Sequence, residues 1–135
     1  MISLLADVNI EGHVELLISL MRGKDWHEFW DHLEIQLLRF HDVGLTNNDT
    51  DAVVWQVCQS KHLYLLTNNR NDDGPDSLES TIRAHNNSDS LPIFTLANSE
   101  SILHSSKHAR RVVESLFDHL MRIESLRGTG RLYLP

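Results

Sequence analysis

The chain has 135 residues, 41% of them hydrophobic and 23% charged, a balance that suits one domain with a real core and gives no sign of wholesale disorder. The 12 Lys and Arg against 19 Asp and Glu leave a formal net charge of −7, which argues against a broad basic face for duplex DNA. Cys58 is the single cysteine, so an intramolecular disulfide and a Cys-rich zinc site are both excluded.

The opening segment "MISLLADVNIEG" carries no basic leader, and its apolar run is too short for a signal peptide or a membrane span. A soluble, cytoplasmic protein is the expectation. Ile2 to Leu5 read as a buried strand that ends at Ala6-Asp7-Val8-Asn9. Val14, Leu17, Ile18 and Met21 recur at helical spacing and predict a helix over 11–22, with Gly23 as its stop. Trp26, Phe29, Trp30 and Leu33 repeat that spacing in a second helix. Its aromatic stripe reads as core or subunit interface, since no basic residues interleave with it as a base-stacking platform requires.

Ile35 to Phe40 read as the next strand. "HDVGLTNNDT" is a loop rich in turn residues and leads into a helix from Thr50, with Val53, Val54, Val57 and Cys58 inward. The apolar run Leu63 to Leu66 then ends abruptly in "TNNRNDD", residues 67–73, which is more hydrogen-bonding capacity than a plain turn needs. Asp76 and Glu79 have the spacing of a capping box and open another helix after Pro75. Leu91 to Leu96 form a strand, with Pro92 favouring a strand end or a sheet edge. His104 and His108 are four residues apart but lack the glutamate of a zinc-hydrolase helix, so they read as surface histidines. Val112, Val113, Leu116, Phe117 and Leu120 mark a long helix. Residues 124–135 form an extended tail able to add an edge strand or cover a groove. Its "RGTGR" is a turn that positions the tail, with phosphate contact as the lesser option.

Strands alternating with helices imply a single α/β domain over 1–135, a three-layer α/β/α stack around a mostly parallel sheet of about four or five strands. Such sheets bind ligands beyond the carboxyl ends of their strands. Asp7, Asp51 and one or more of Asn69, Asn71, Asp72 and Asp73 would meet at that edge. Clustered carboxylates repel one another unless a cation neutralises them. Mg²⁺ or Mn²⁺ does so with oxygen ligands, polarises a phosphate and activates water. The plainer alternative is that Asp7 caps the segment after it, Asp51 is a first-turn acid favoured by the helix dipole, and the asparagines build turns.

The order of these pieces resembles the PIN-like nuclease superfamily, and more narrowly a short bacterial branch of it. The matching stretches are "LLADVN" at 4–9, "DVGL" at 42–45, "TDAVV" at 50–54 and "LLTNNR" at 65–70. They cover roughly the first half of the chain, and "LPIFTLAN" suits the family's last strand. The resemblance implies a Mg²⁺- or Mn²⁺-dependent ribonuclease, toxin-like, acting on single-stranded RNA and partnered by an antitoxin-like protein or by a second copy as a homodimer. Carried over by position, Asp7 and Asp51 would be catalytic metal ligands, Asn69 would stand at the third acid position, and Asn9 would be a polar neighbour. Thr67, Asn68, Arg70 and Asn71 would be binding residues, Arg70 by holding phosphate or by pairing with a nearby acid. The family pattern Thr-x-Asp-Arg-Asp is here Thr67-Asn68-Asn69-Arg70-Asn71, so two expected acids are amides. Asn69 or Asp72 would then complete the metal shell. The alternative is a catalytically degenerate module that binds a protein or RNA without cleavage.

Overall fold

The computed structural model describes residues 1–135. Its apolar runs form five short strands: β1 (Ile2–Ala6), β2 (Ile35–Leu38), β3 (Tyr64–Thr67), β4 (Ile93–Leu96) and β5 (Arg131–Leu134). Six helices connect them: α1 (Glu11–Met21), α2 (His27–Leu33), α3 (Asp51–Lys61), α4 (Leu78–His85), α5 (Ser99–His104) and α6 (Ser106–Leu120). Every neighbouring pair of strands is parallel, in the order β2-β1-β3-β4-β5.

Alternate residues of the strands serve two cores. Leu4, Ala6, Tyr64, Leu66, Phe94 and Leu96 pack with α1 and α6, while Leu5, Leu65 and Ile93 pack with α3 and α4. A strand covered on both faces can be apolar throughout, which is why these segments read as unbroken runs. The expected three-layer α/β/α architecture is present, with a five-stranded, wholly parallel sheet. Each fully buried leucine in it contributes about 1.5–3 kcal/mol by leaving water. No helix is long and apolar enough to cross a membrane.

Several local expectations are corrected. The second strand stops at Leu38, and Phe40 opens a 3-10 turn over Phe40–Val43. On α3 the inward face is Val54, Trp55 and Cys58, with Val53 turned out at 43% exposure. The helix is rotated because Trp55 packs into the second core beside His85. The cap of α4 is Ser77, whose Oγ accepts from the Ser80 amide at 3.2 Å, so Asp76 lies outside the helix and the Asp76–Glu79 box does not form. The fourth strand starts at Ile93 and not at Leu91, and of the two places expected for Pro92 it takes the strand end and not a sheet edge: the Ile93 amide donates to Gly130 O at 2.9 Å. Both backbone groups of Leu91 are bonded instead to the Gln59 amide, at 2.8 and 3.0 Å. His104 and His108 do not share a helix. Ser105, at φ −142°, ends α5 and caps α6 by accepting from the His108 amide at 3.1 Å.

The tail is not extended throughout. A 3-10 turn covers Ile123–Leu126, and β5 then adds the edge strand beside β4. The intervening turn needs glycine at 128, where φ is +85° and an added Cβ would lie 3.1 Å from the Ser88 Cα.

Candidate functional site

The strand order reverses direction between β1 and β3, since the chain passes from β1 outward to β2 and later from β3 outward to β4. The connections leaving their carboxyl ends therefore run in opposite directions and leave a crevice, the usual ligand position in a doubly wound sheet. Asp7 follows β1 directly, and its amide extends the ladder by donating to Leu66 O at 3.0 Å. Its Oδ1 caps the 3-10 turn Val8–Ile10 through a long 3.4 Å bond from the Asn9 amide. Its Oδ2 accepts a short 2.6 Å bond from the Thr67 hydroxyl. Thr67 is fully buried, and its hydroxyl oxygen in turn accepts from the Asn69 amide at 3.0 Å. One hydroxyl thus ties the end of β1 to the turn after β3.

Asp51 arrives from the other side as the first residue of α3, whose cap is Thr50. Its Oδ2 accepts from the Leu78 amide at the start of α4, at 3.1 Å, and from the Asn69 side-chain amide, at 2.9 Å. The Asn69 Oδ1 accepts from the Asn71 amide at 2.9 Å. Reversing the Asn69 amide would set its NH₂ against the Asn71 N–H and its oxygen against a carboxylate, so the hydrogen bonds fix its orientation. Asn69 accordingly faces Asp51 with nitrogen.

Asp7, Asn9, Asp51 and Asn69 line one small cleft of about 80 Å³. Asn47 and Asp49 line it as well, and sequence reasoning passed over both as turn residues. The available signal was a carboxylate two positions before Asp51 in a loop returning to the same edge. Asp49 is partly engaged, because its Oδ2 accepts from the Thr46 amide at 2.8 Å. The remaining residues expected at the site are not among those lining the cleft. Asn68 turns away and donates to Ser99 Oγ at 3.1 Å. Asn71 accepts from the Asp73 amide at 3.1 Å and builds the exposed turn on which Arg70 and Asp72 stand.

The donors around the cleft are carboxylates and amides with no soft ligand among them, the chemistry of a hard cation. No group of three or more His, Cys, Asp or Glu side chains is arranged to hold a metal ion. Asp7 and Asp51, with Asp49 partly engaged by Thr46, suit a single Mg²⁺, which commonly keeps several waters of its own. They do not suit a two-ion centre. The negative character of this edge reaches the core behind it: burial first, and the Asp7 charge second, push the Cys58 thiol up to about 12, so it stays protonated.

A larger concavity of about 560 Å³ lies between α2 and α6, lined by Trp26, Phe29, Phe117 and Met121 among others. Phe29 is 45% exposed and Met121 50%. Trp26 is covered by the Arg110 guanidinium 4.7 Å from its ring centre, as fits a packing residue. Comparison of the chain with family models, with curated proteins and with solved structures finds no match.

Proposed function

We propose that the cleft is a PIN-like phosphodiesterase site that acts on single-stranded RNA with one Mg²⁺ or Mn²⁺ ion held by Asp7 and Asp51. The observation that carries this reading is that these two acids, from separate elements, line the same polar cleft at the strand switch point. A bound ion there would offset phosphate charge and supply an activated water. The protein's own part is orientation. The Thr67 hydroxyl holds one oxygen of Asp7, while the Leu78 amide and Asn69 hold one oxygen of Asp51. Each carboxylate therefore keeps its other oxygen for the cleft or for light duty. Arg70, exposed on the adjoining turn, is suited to a phosphate outside the cleft. Asp72 stands on that same turn and would reach an ion only through water.

One observation favours a second reading, a degenerate module that binds RNA or an antitoxin-like protein without cleaving. Asn69 replaces an acid, donates to Asp51, and has its oxygen taken by the Asn71 amide, so the third charge is missing and its substitute is occupied. By the same family analogy the protein works in the cytoplasm, where its one cysteine stays reduced, and pairs as a homodimer across the apolar α2–α6 groove. The deciding experiment measures cleavage of a fluorescent single-stranded RNA beside a calorimetric Mn²⁺ titration, for the wild type and Asp7→Asn. Cleavage and Mn²⁺ binding lost together in Asp7→Asn support the hydrolase. RNA binding that persists without cleavage, indifferent to Asp7→Asn, supports the module. Mn²⁺ binding left intact by Asp7→Asn removes the metal site from this edge.

A further inference from the structure

Arg131 opens β5, at the far end of the chain from Asp7, yet its side chain is only 6% exposed. Arginine is seldom buried unless something uses its charge or its fork of donors. Its Nε donates to Glu79 Oε1 at 3.1 Å. Its Nη1 donates to two acceptors at 2.8 Å, the Thr95 hydroxyl and the backbone carbonyl of Asn69. Nη2 is buried with no partner.

Neutralising Glu79 does not explain this arrangement. The exposed Arg83 already stands 3.7 Å from Glu79 on the same helix. A guanidinium placed for Glu79 alone would close on it with two parallel bonds, whereas this one offers a single nitrogen and leaves another unsatisfied. Space filling does not explain it either, because an apolar side chain would fill the site without an orphaned donor. What only the guanidinium does is reach from the edge strand to the turn after β3.

That turn is where the cleft is set. All four polar groups of Asn69 are engaged: its amide by Thr67, its carbonyl by Arg131, and the two ends of its side chain by Asp51 and the Asn71 amide. The carbonyl bond is the one of the four that comes from the C-terminal strand. We propose that Arg131 is the positioning residue of the cleft, fixing the Asn69 carbonyl so that the Asn69 amide is aimed at Asp51, and thereby coupling cleft geometry to the docking of the C-terminal strand. The inference rests on the cleft being the functional site, but its first readout needs neither metal nor RNA.

The test uses the full chain with Arg131→Met and Arg131→Lys. Lysine keeps the charge beside Glu79 and the aliphatic stem, so it guards against a variant that fails to fold. A single ammonium cannot reproduce the planar fork. Amide hydrogen exchange is followed by NMR at Asn71, whose amide is bonded to the Asn69 side chain, and at Leu78, whose amide is bonded to Asp51. Both variants should speed exchange at these two amides roughly tenfold, the scale of one lost hydrogen bond, while amides of β1 and α6 keep their protection. Mn²⁺ affinity by calorimetry should fall in parallel. Unchanged exchange at Asn71 and Leu78 in Arg131→Lys, or a uniform rise across the core, would overturn the proposal and leave Arg131 a packing residue. Wild type that binds no Mn²⁺ would sink the metal reading and leave the exchange result standing.

Discussion

Asn69→Asp tests the cleft most sharply, because it changes one atom at the contact between the turn after β3 and Asp51. Asn69 Oδ1 would still accept from the Asn71 amide, so only the end facing Asp51 is altered. The 2.9 Å bond to Asp51 is lost, and a hydrogen bond to a charged group is worth about 1.5–3 kcal/mol. In its place two carboxylates face each other, with charge centres roughly 4 Å apart and a repulsion of about 4 kcal/mol at an effective dielectric near 20. Partial exposure of both side chains and rotation of the new aspartate relieve part of this, leaving a net loss of about 2–4 kcal/mol without a cation. For a chain of this length that is a fall in Tm of about 6–15 °C. A cation reverses the sign. Mn²⁺ at a hundred times its Kd restores about 2.7 kcal/mol, so the variant should regain most of its Tm and bind Mn²⁺ more tightly than the wild type. Thermal denaturation with chelator and with Mn²⁺ reads both effects. A variant as stable as the wild type in chelator, with no gain from Mn²⁺, would refute the assigned geometry.

Two further outcomes follow from other parts of the molecule. His119 stacks on Phe94 with its Nδ1 buried and unpartnered; burial, then the nearby Arg122, hold its pKa below the ordinary 6.5, against the weaker upward pull of Asp118. The unfolded chain therefore takes up a proton there first, so stability should fall as pH drops below about 6.5 and level off below the folded value; urea titrations across that range should show the slope reduced in His119→Gln. If the α2–α6 groove pairs two copies, Phe29→Glu should give monomers by light scattering where the wild type is dimeric, and a wild type monomeric at high micromolar concentration removes the dimer.

The strands were legible because a parallel sheet covered on both faces demands continuous apolar runs, and Leu4-Leu5 and Leu65-Leu66 send consecutive residues to opposite cores. The strand order was not legible, since nothing local says that β1 lies between β2 and β3. Two of the local misreadings share a cause, a tertiary neighbour that outweighed a short pattern. Trp55 beside His85 rotated α3, and Gln59 took over the backbone of Leu91, so that β4 begins at Ile93.

At the candidate site the strand-end rule foresaw that Asp7 and Asp51 would share an edge, but it could not say which way an amide would turn. Asn69 is neutral, so its orientation is decided by its neighbours, and those come from Asp51, Asn71 and, through the backbone, Arg131. The last of these has no local signature: "RGTGR" reads as a turn because its arginine's partners lie on other elements. With the orientation known, the asparagine has a physical logic of its own. A carboxylate at 69 would repel Asp51 in the folded chain unless a cation lay between them, so folding and ion binding would be coupled. The amide supplies a donor to Asp51 and an acceptor to Asn71 without any ion, and the edge closes on its own hydrogen bonds. The asparagine therefore gives a turn that is ordered without an ion and lacks the charge that would bind one, which is why metal affinity and metal-free stability should move in opposite directions in Asn69→Asp.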